Sequence, residues 1–111
     1  MTNERIILLQ RIRLLREGVI GSTGTREFRD YKGRPCSGEV PEDIHTAGAW
    51  LKRGYQVRPG EKACARFPIW KYRIDRSSRP PSTVFYMKDM DFFTAGQVRP
   101  LTAPESPGTA A

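Results

Sequence analysis

From Asn3 to Glu17 the apolar residues Ile6, Ile7, Leu8, Leu9, Ile12, Leu14 and Leu15 are interspersed with Arg5, Gln10, Arg11, Arg13 and Arg16. This pattern predicts an amphipathic helix with a wide apolar stripe. Thr2 or Asn3 can cap its start, Gly18 stops it, and Val19 and Ile20 are placed to fold back on the last turn. The stripe is read as packing on the rest of the same domain. Residues 21–41 are rich in Gly, Ser, Thr and Pro, with Phe28 and Tyr31 as their large anchors, and read as a loop or an irregular hairpin. Pro41 then opens a second predicted helix, with Glu42 and Asp43 in its first turn and Gly54 as its stop. Ile44, Ala47 and Leu51 form its apolar face, with Trp50 on the flank and His45 as a surface or hydrogen-bonded helix residue.

Beyond Gly54 the period changes from helical to alternating. Tyr55 to Arg58 read as extended, Pro59-Gly60 as a type II turn, and Ala63 to Asp75 as a longer strand, which together predict a hairpin. Pro68 implies an edge position or a bulge, because proline cannot donate to a ladder. Residues 76–82 read as a flexible connection and Ser82 to Lys88 as a third strand of β-branched and aromatic residues. Residues 89–98 are expected to form a turn or short helix before a final extended piece. The tail from Pro100 lacks apolar periodicity and is expected to be disordered. The predicted fold is therefore α+β, with two helices packed on a small, mainly antiparallel sheet of about three to four strands. It occupies one domain, residues 1–99, followed by the tail 100–111.

Composition narrows the class. A chain of 111 residues supports one modest core, and 38% hydrophobic with 28% charged residues is ordinary for a globular domain. No apolar run approaches the roughly 20 residues of a membrane span, and the N-terminus lacks the pattern of a secretory signal, so a cytoplasmic protein is expected. Cys36 and Cys64 lack metal-type spacing and, with His45 as the one histidine, cannot complete a four-ligand zinc site. They read as reduced thiols, a single disulfide being the alternative. No cofactor is expected.

The net charge of +7 is unevenly distributed. Between Trp50 and Pro80 nine bases face two acids, while the rest of the chain balances ten against ten. Such an excess is the footprint of a protein that meets polyanions, the alternative being a solvated basic surface. Catalysis is not expected. The chain has no HExxH, no GxSxG and no phosphate loop followed by lysine and serine or threonine. The same basic stretch carries rings. In single-strand recognition cations follow the phosphates while exposed aromatic faces stack on bases. Alternation along the strand sets Cys64, Arg66, Pro68, Trp70 and Tyr72 on one face and Ala65, Phe67, Ile69, Lys71 and Arg73 on the other. Phe67 and Ile69 then belong to the core, and Arg66, Trp70 and Tyr72 form an outer platform unless a bulge at Pro68 swaps the faces or Trp70 is simply buried. The candidate nucleic-acid-binding residues are Arg53, Arg58, Lys62, Arg66, Lys71 and Arg73 for phosphates, with Tyr55, Trp70 and Tyr72 for stacking.

Three segments carry a family resemblance: Trp50 to Lys62 (WLKRGYQVRPGEK), Phe67 to Lys71 (FPIWK) and Phe92 to Val98 (FFTAGQV). Together they resemble the N-terminal single-stranded-DNA-binding domain of ArdC-type antirestriction proteins. The likeness covers about half the chain and rests on the G-x-x-V-R-x-G-E-K pattern ending at Lys62 and on Phe93 followed four residues later by Gln97. Thr94 departs from the family, which usually has asparagine or aspartate there, and the chain is expected to correspond to the binding domain alone, without the metalloprotease-like domain of full-length relatives. The resemblance implies DNA association, with single-stranded DNA as the favoured ligand, and a counter-defence role on a plasmid, phage or integrating element. Independently, Gly60 suits the turn, Glu61 can hold the turn's amides or pair with a base, and Lys62 projects beside Arg58. The rival expectation is a stand-alone anti-CRISPR-type inhibitor that binds a host defence nuclease or its guide RNA. Positive charge disfavours DNA mimicry for such an inhibitor.

Overall fold

In a computed structural model that describes residues 1–101, the first element is helix α1, Asn3–Arg16. The Thr2 hydroxyl accepts from the Arg5 N–H at 3.2 Å and caps its start. Its end is a Schellman turn: Gly18 takes a φ of 78°, its N–H bonds the Leu15 carbonyl, and the Val19 N–H bonds the Leu14 carbonyl. The turn drives Ile20 into the core beside Leu14, while Val19 stays outside.

Residues 22–41 form an antiparallel hairpin, β1 (Ser22–Arg29) with β2 (Pro35–Pro41), irregular at one point, where its register shifts between Ser22 and Thr25. Pro41 therefore ends a strand and does not open a helix. Ile44 and His45 form the short strand β3, pairing with Thr94 and Phe93, and helix α2 is confined to Ala47–Lys52 behind a Thr46 cap. Burial explains the correction. Ile44 is 1% exposed and is held by strand pairing, so the apparent helical spacing from Ile44 to Leu51 is broken. Leu51 faces solvent, and Trp50 is the buried residue of the helix.

The expected hairpin between residues 55 and 75 also differs. Strand β4, Tyr55–Val57, pairs with the last strand β7, Val98–Pro100, and not with the strand that follows it. The turn itself forms, with Gly60 at φ 84° and the Glu61 N–H on the Arg58 carbonyl at 3.2 Å. A type II turn does not match the twist of paired strands as the primed turns do, so it redirects the chain instead of closing a hairpin. Pro100, expected to begin the tail, lies opposite Tyr55, and the Leu101 N–H bonds the Gly54 carbonyl. The rest of the expected tail lies outside the described residues.

Strands β5 (Ala65–Asp75) and β6 (Ser82–Thr94) make the longest pairing. Residues 89–94 continue β6, because Phe92 is needed in the core; a short 3-10 turn at Ala95–Gln97 then leads into β7. The fold is α+β, with two helices and wholly antiparallel pairing among the described residues: β1-β2, β3-β6-β5 and β4-β7. Leu14 and Ile20 from α1 and its cap meet Ile44, Phe67, Ile69 and Phe92 in one core. Phe67 and Phe92 stack with centroids 4.1 Å apart. No described helix is long and apolar enough to cross a membrane.

Candidate nucleic-acid interface

The β5-β6 ribbon is the element that positions the rings. Its register runs unbroken from Ala65 opposite Phe92 to Asp75 opposite Ser82, so Pro68 causes no bulge and side chains alternate without a swap. Pro68 sits on an edge strand, as expected, because β5 has β6 on one side only. The Trp70 backbone faces away from β6 and is taken by the Asn3 side chain, whose Oδ1 accepts from the Trp70 N–H at 2.7 Å and whose Nδ2 donates to its carbonyl at 3.0 Å. Pro68, two residues earlier, points its nitrogen the same way and leaves the ladder intact.

Arg66, Trp70 and Tyr72 share the outer face, opposite Asp91, Met87 and Phe85 respectively. Trp70 is 40% exposed, and Tyr72 and Phe85 are 66% exposed each. The Tyr72 and Phe85 rings lie 6.3 Å apart and are tilted against one another. With Ile74 and Met87 also exposed, this face is a row of apolar surface that water reaches. Arg66 stands at its proximal end, in an ion pair with Asp91 at 2.9 Å. Lys71 and Arg73 lie on the opposite face, beyond the buried Phe67 and Ile69, where Lys71 opposes Tyr86.

From residue 65 to 94 the ribbon and its turn carry six bases against three acids. Asp91 is spent on Arg66, and Asp75 accepts from the Ser77 hydroxyl and N–H, bonds that hold its carboxyl below the usual range. Lys71, Arg73, Arg76, Arg79 and Lys88 enter no ion pair among the described residues. The positive charge therefore concentrates at the distal half of the ribbon, around Tyr72 and Phe85.

Arg53, Tyr55, Arg58 and Lys62 stand elsewhere, on the end of α2, on β4 and on the turn after it. Lys62 precedes the ribbon, and the run from Ala65 to Tyr72 alone spans about 23 Å, more than two Debye lengths at physiological salt. Tyr55 meets the buried Trp50 edge-on at 5.6 Å, and the Trp50 Nε1–H donates to the Phe93 carbonyl at 2.9 Å. Arg53 Nε donates to His45 Nε2 at 3.2 Å. His45 belongs to β3 and not to a helix. Burial first, then the Arg53 and Arg11 charges, push its pKa below the ordinary value of 6.5, against the pull of Asp43.

Glu61 holds neither the turn's amides nor a base. Its carboxylate accepts from the Gln97 Nε2 at 3.1 Å, and the same nitrogen donates to the Lys62 carbonyl at 2.6 Å. Gln97 Oε1 accepts from the Thr94 N–H, and its backbone carbonyl accepts from the Arg58 N–H. Two separated segments of the resemblance, Gly60–Lys62 and Phe93–Gln97, are thus bonded to one another. Cys36 and Cys64 are free thiols, and burial raises the Cys64 pKa away from thiolate chemistry. Among the described residues no group of three or more His, Cys, Asp or Glu side chains is arranged to hold a metal.

Sequence alternation alone did not include Phe85 in the platform. The signal was present in the alternating run Thr83, Phe85, Met87, but assigning it required the register opposite Tyr72. No family model, no curated protein and no solved structure matches the chain.

Proposed function

We propose that this protein is a non-catalytic, cytoplasmic module that binds single-stranded nucleic acid, DNA in preference to RNA, on the distal half of the β5-β6 ribbon. The observation that carries the reading is the row of water-accessible rings, Trp70, Tyr72 and Phe85, on a half of the ribbon whose cations enter no ion pair among the described residues. Each stacked base is worth about 1–3 kcal/mol, and a face of rings accepts any base sequence. In this assignment Trp70, Tyr72 and Phe85 stack, Arg76 and Arg79 in the connecting turn meet phosphates directly, Lys71 and Arg73 reach the strand around the edge from the opposite face, and Arg66 is held back by Asp91. Arg53, Tyr55, Arg58 and Lys62 make no direct contact in this assignment, and the three cations among them are screened from the distal rings at physiological salt. The resemblance to the ArdC-type domain supports the same ligand and adds an antirestriction or counter-defence role on a mobile element. The test is an anisotropy titration with labelled oligonucleotide at several salt concentrations. About four phosphate contacts give a slope of log affinity on log salt near −3, from roughly 0.7 per contact. Binding indifferent to salt removes the reading.

A second reading is favoured by one specific observation: Ile74 and Met87 join the exposed rings, and a continuous apolar row of this kind also suits a protein partner. The chain would then act as an anti-CRISPR-type inhibitor of a host defence nuclease or its guide RNA. Pull-down of such a nuclease at a salt concentration that releases the oligonucleotide separates the two readings.

A further inference from the structure

The tip of the β1-β2 hairpin holds the most exposed large hydrophobic residue among the described residues, and no part of the fold uses it. Tyr31 is 90% exposed, and its ring contact is the Lys32 ammonium, 5.6 Å from the centroid. The turn beneath it is rigid. Asp30 Oδ1 accepts from the Lys32 and Arg34 N–H groups at 2.9 Å each, and Oδ2 accepts from Arg34 Nε at 2.8 Å. Gly33, at φ 78°, donates its N–H to the Asp30 carbonyl, while its own carbonyl accepts from Arg29 Nη1 at 2.8 Å.

The Asp30 side chain makes this turn, so position 31 is free for any small polar residue. A tyrosine there gains no burial, yet it is presented outward on a pre-ordered backbone. Residues 29–34 carry three bases against Asp30, and Asp30 is already consumed by Arg34 and the turn amides. An exposed ring beside cations on a stiff tip is the same pairing of chemistries found on the distal ribbon.

We infer that the Tyr31–Lys32 tip is a second contact for the same single strand, stacking one base and meeting phosphate while the ribbon holds the rest. This rests on the nucleic-acid reading above and extends it: the ligand is a strand long enough to engage both arms, and the protein discriminates by length.

The test compares labelled oligothymidylates of about 8 and about 30 nucleotides, within and beyond the span of one small binding surface. For the long strand, Y31A/K32A lowers affinity about tenfold and makes the salt slope shallower by about 0.7. For the short strand it changes nothing, whereas W70A weakens both. Both side chains are at the surface and support no packing, so the double variant folds. Unchanged long-strand affinity in Y31A/K32A, with W70A still defective, overturns the inference and leaves the ribbon reading in place. Equal losses on both lengths also overturn it, by making the tip part of one short site. Wild-type protein that binds neither strand overturns both.

Discussion

The Asn3 side-chain amide clasps the backbone of Trp70, accepting its N–H at 2.7 Å and donating to its carbonyl at 3.0 Å. One residue at the start of α1 thus satisfies the open edge of β5 where the platform ring sits, and ties the ribbon to the helix that packs beneath it. Asn3→Ala removes both bonds and is expected to cost about 1–2 kcal/mol in urea unfolding. Asn3→Asp keeps the acceptor but sets a carboxylate oxygen against the Trp70 carbonyl, so it should not restore wild-type stability.

The two faces of the ribbon should respond in opposite ways to truncation. Phe92 is 1% exposed and stacked on Phe67, so Phe92→Ala is expected to cost about 3–5 kcal/mol. Tyr72→Ala, on the solvent face, should stay within about 0.5 kcal/mol of wild type. Urea midpoints of the two variants check this directly, and a large loss in Tyr72→Ala would mean that its ring supports the fold.

Gln97 joins the Lys62 carbonyl, the Glu61 carboxylate and the Thr94 N–H. Gln97→Ala should destabilise by about 1–2 kcal/mol, measured by thermal or urea unfolding. Gln97→Glu should be worse, because a carboxylate would face Glu61 and a carbonyl where an N–H donor now stands.

His45 gives a pH dependence of known sign. Burial and Arg53 lower its pKa in the folded protein, so the unfolded chain binds the proton more readily. Stability from this group is fully present above the ordinary value of 6.5 and is lost as pH falls from there through the lower folded value. His45→Gln should flatten unfolding free energy against pH in that window, while the wild type declines toward acid.

Much of the central architecture was legible in local pattern. The α1 stripe, its Gly18 stop and the two faces of β5 follow from periods of 3.6 and 2, and Pro68 left that period intact because its nitrogen points off the edge. What failed depended on distant partners. Pairing of Tyr55 with Pro100 and of Ile44 with Thr94 joins residues more than forty positions apart, and no local propensity encodes it. The same long-range pairing turned the start of the expected second helix into β3 and kept residues 89–94 extended. At the site, alternation placed Arg66, Trp70 and Tyr72 on one face of β5, whereas Arg53, Tyr55, Arg58 and Lys62, their neighbours in sequence, lie on other elements. Phe85 entered only through the cross-strand register.

The central claim is that solvent-facing rings on the distal ribbon bind a single strand. The most direct measurement is an anisotropy titration of a labelled oligothymidylate with wild-type protein and with W70A/Y72A at one fixed low salt concentration. Loss of two stacked bases predicts a fall in affinity of at least tenfold with the fold retained by circular dichroism. Equal affinity of the folded double variant and the wild type would contradict the claim.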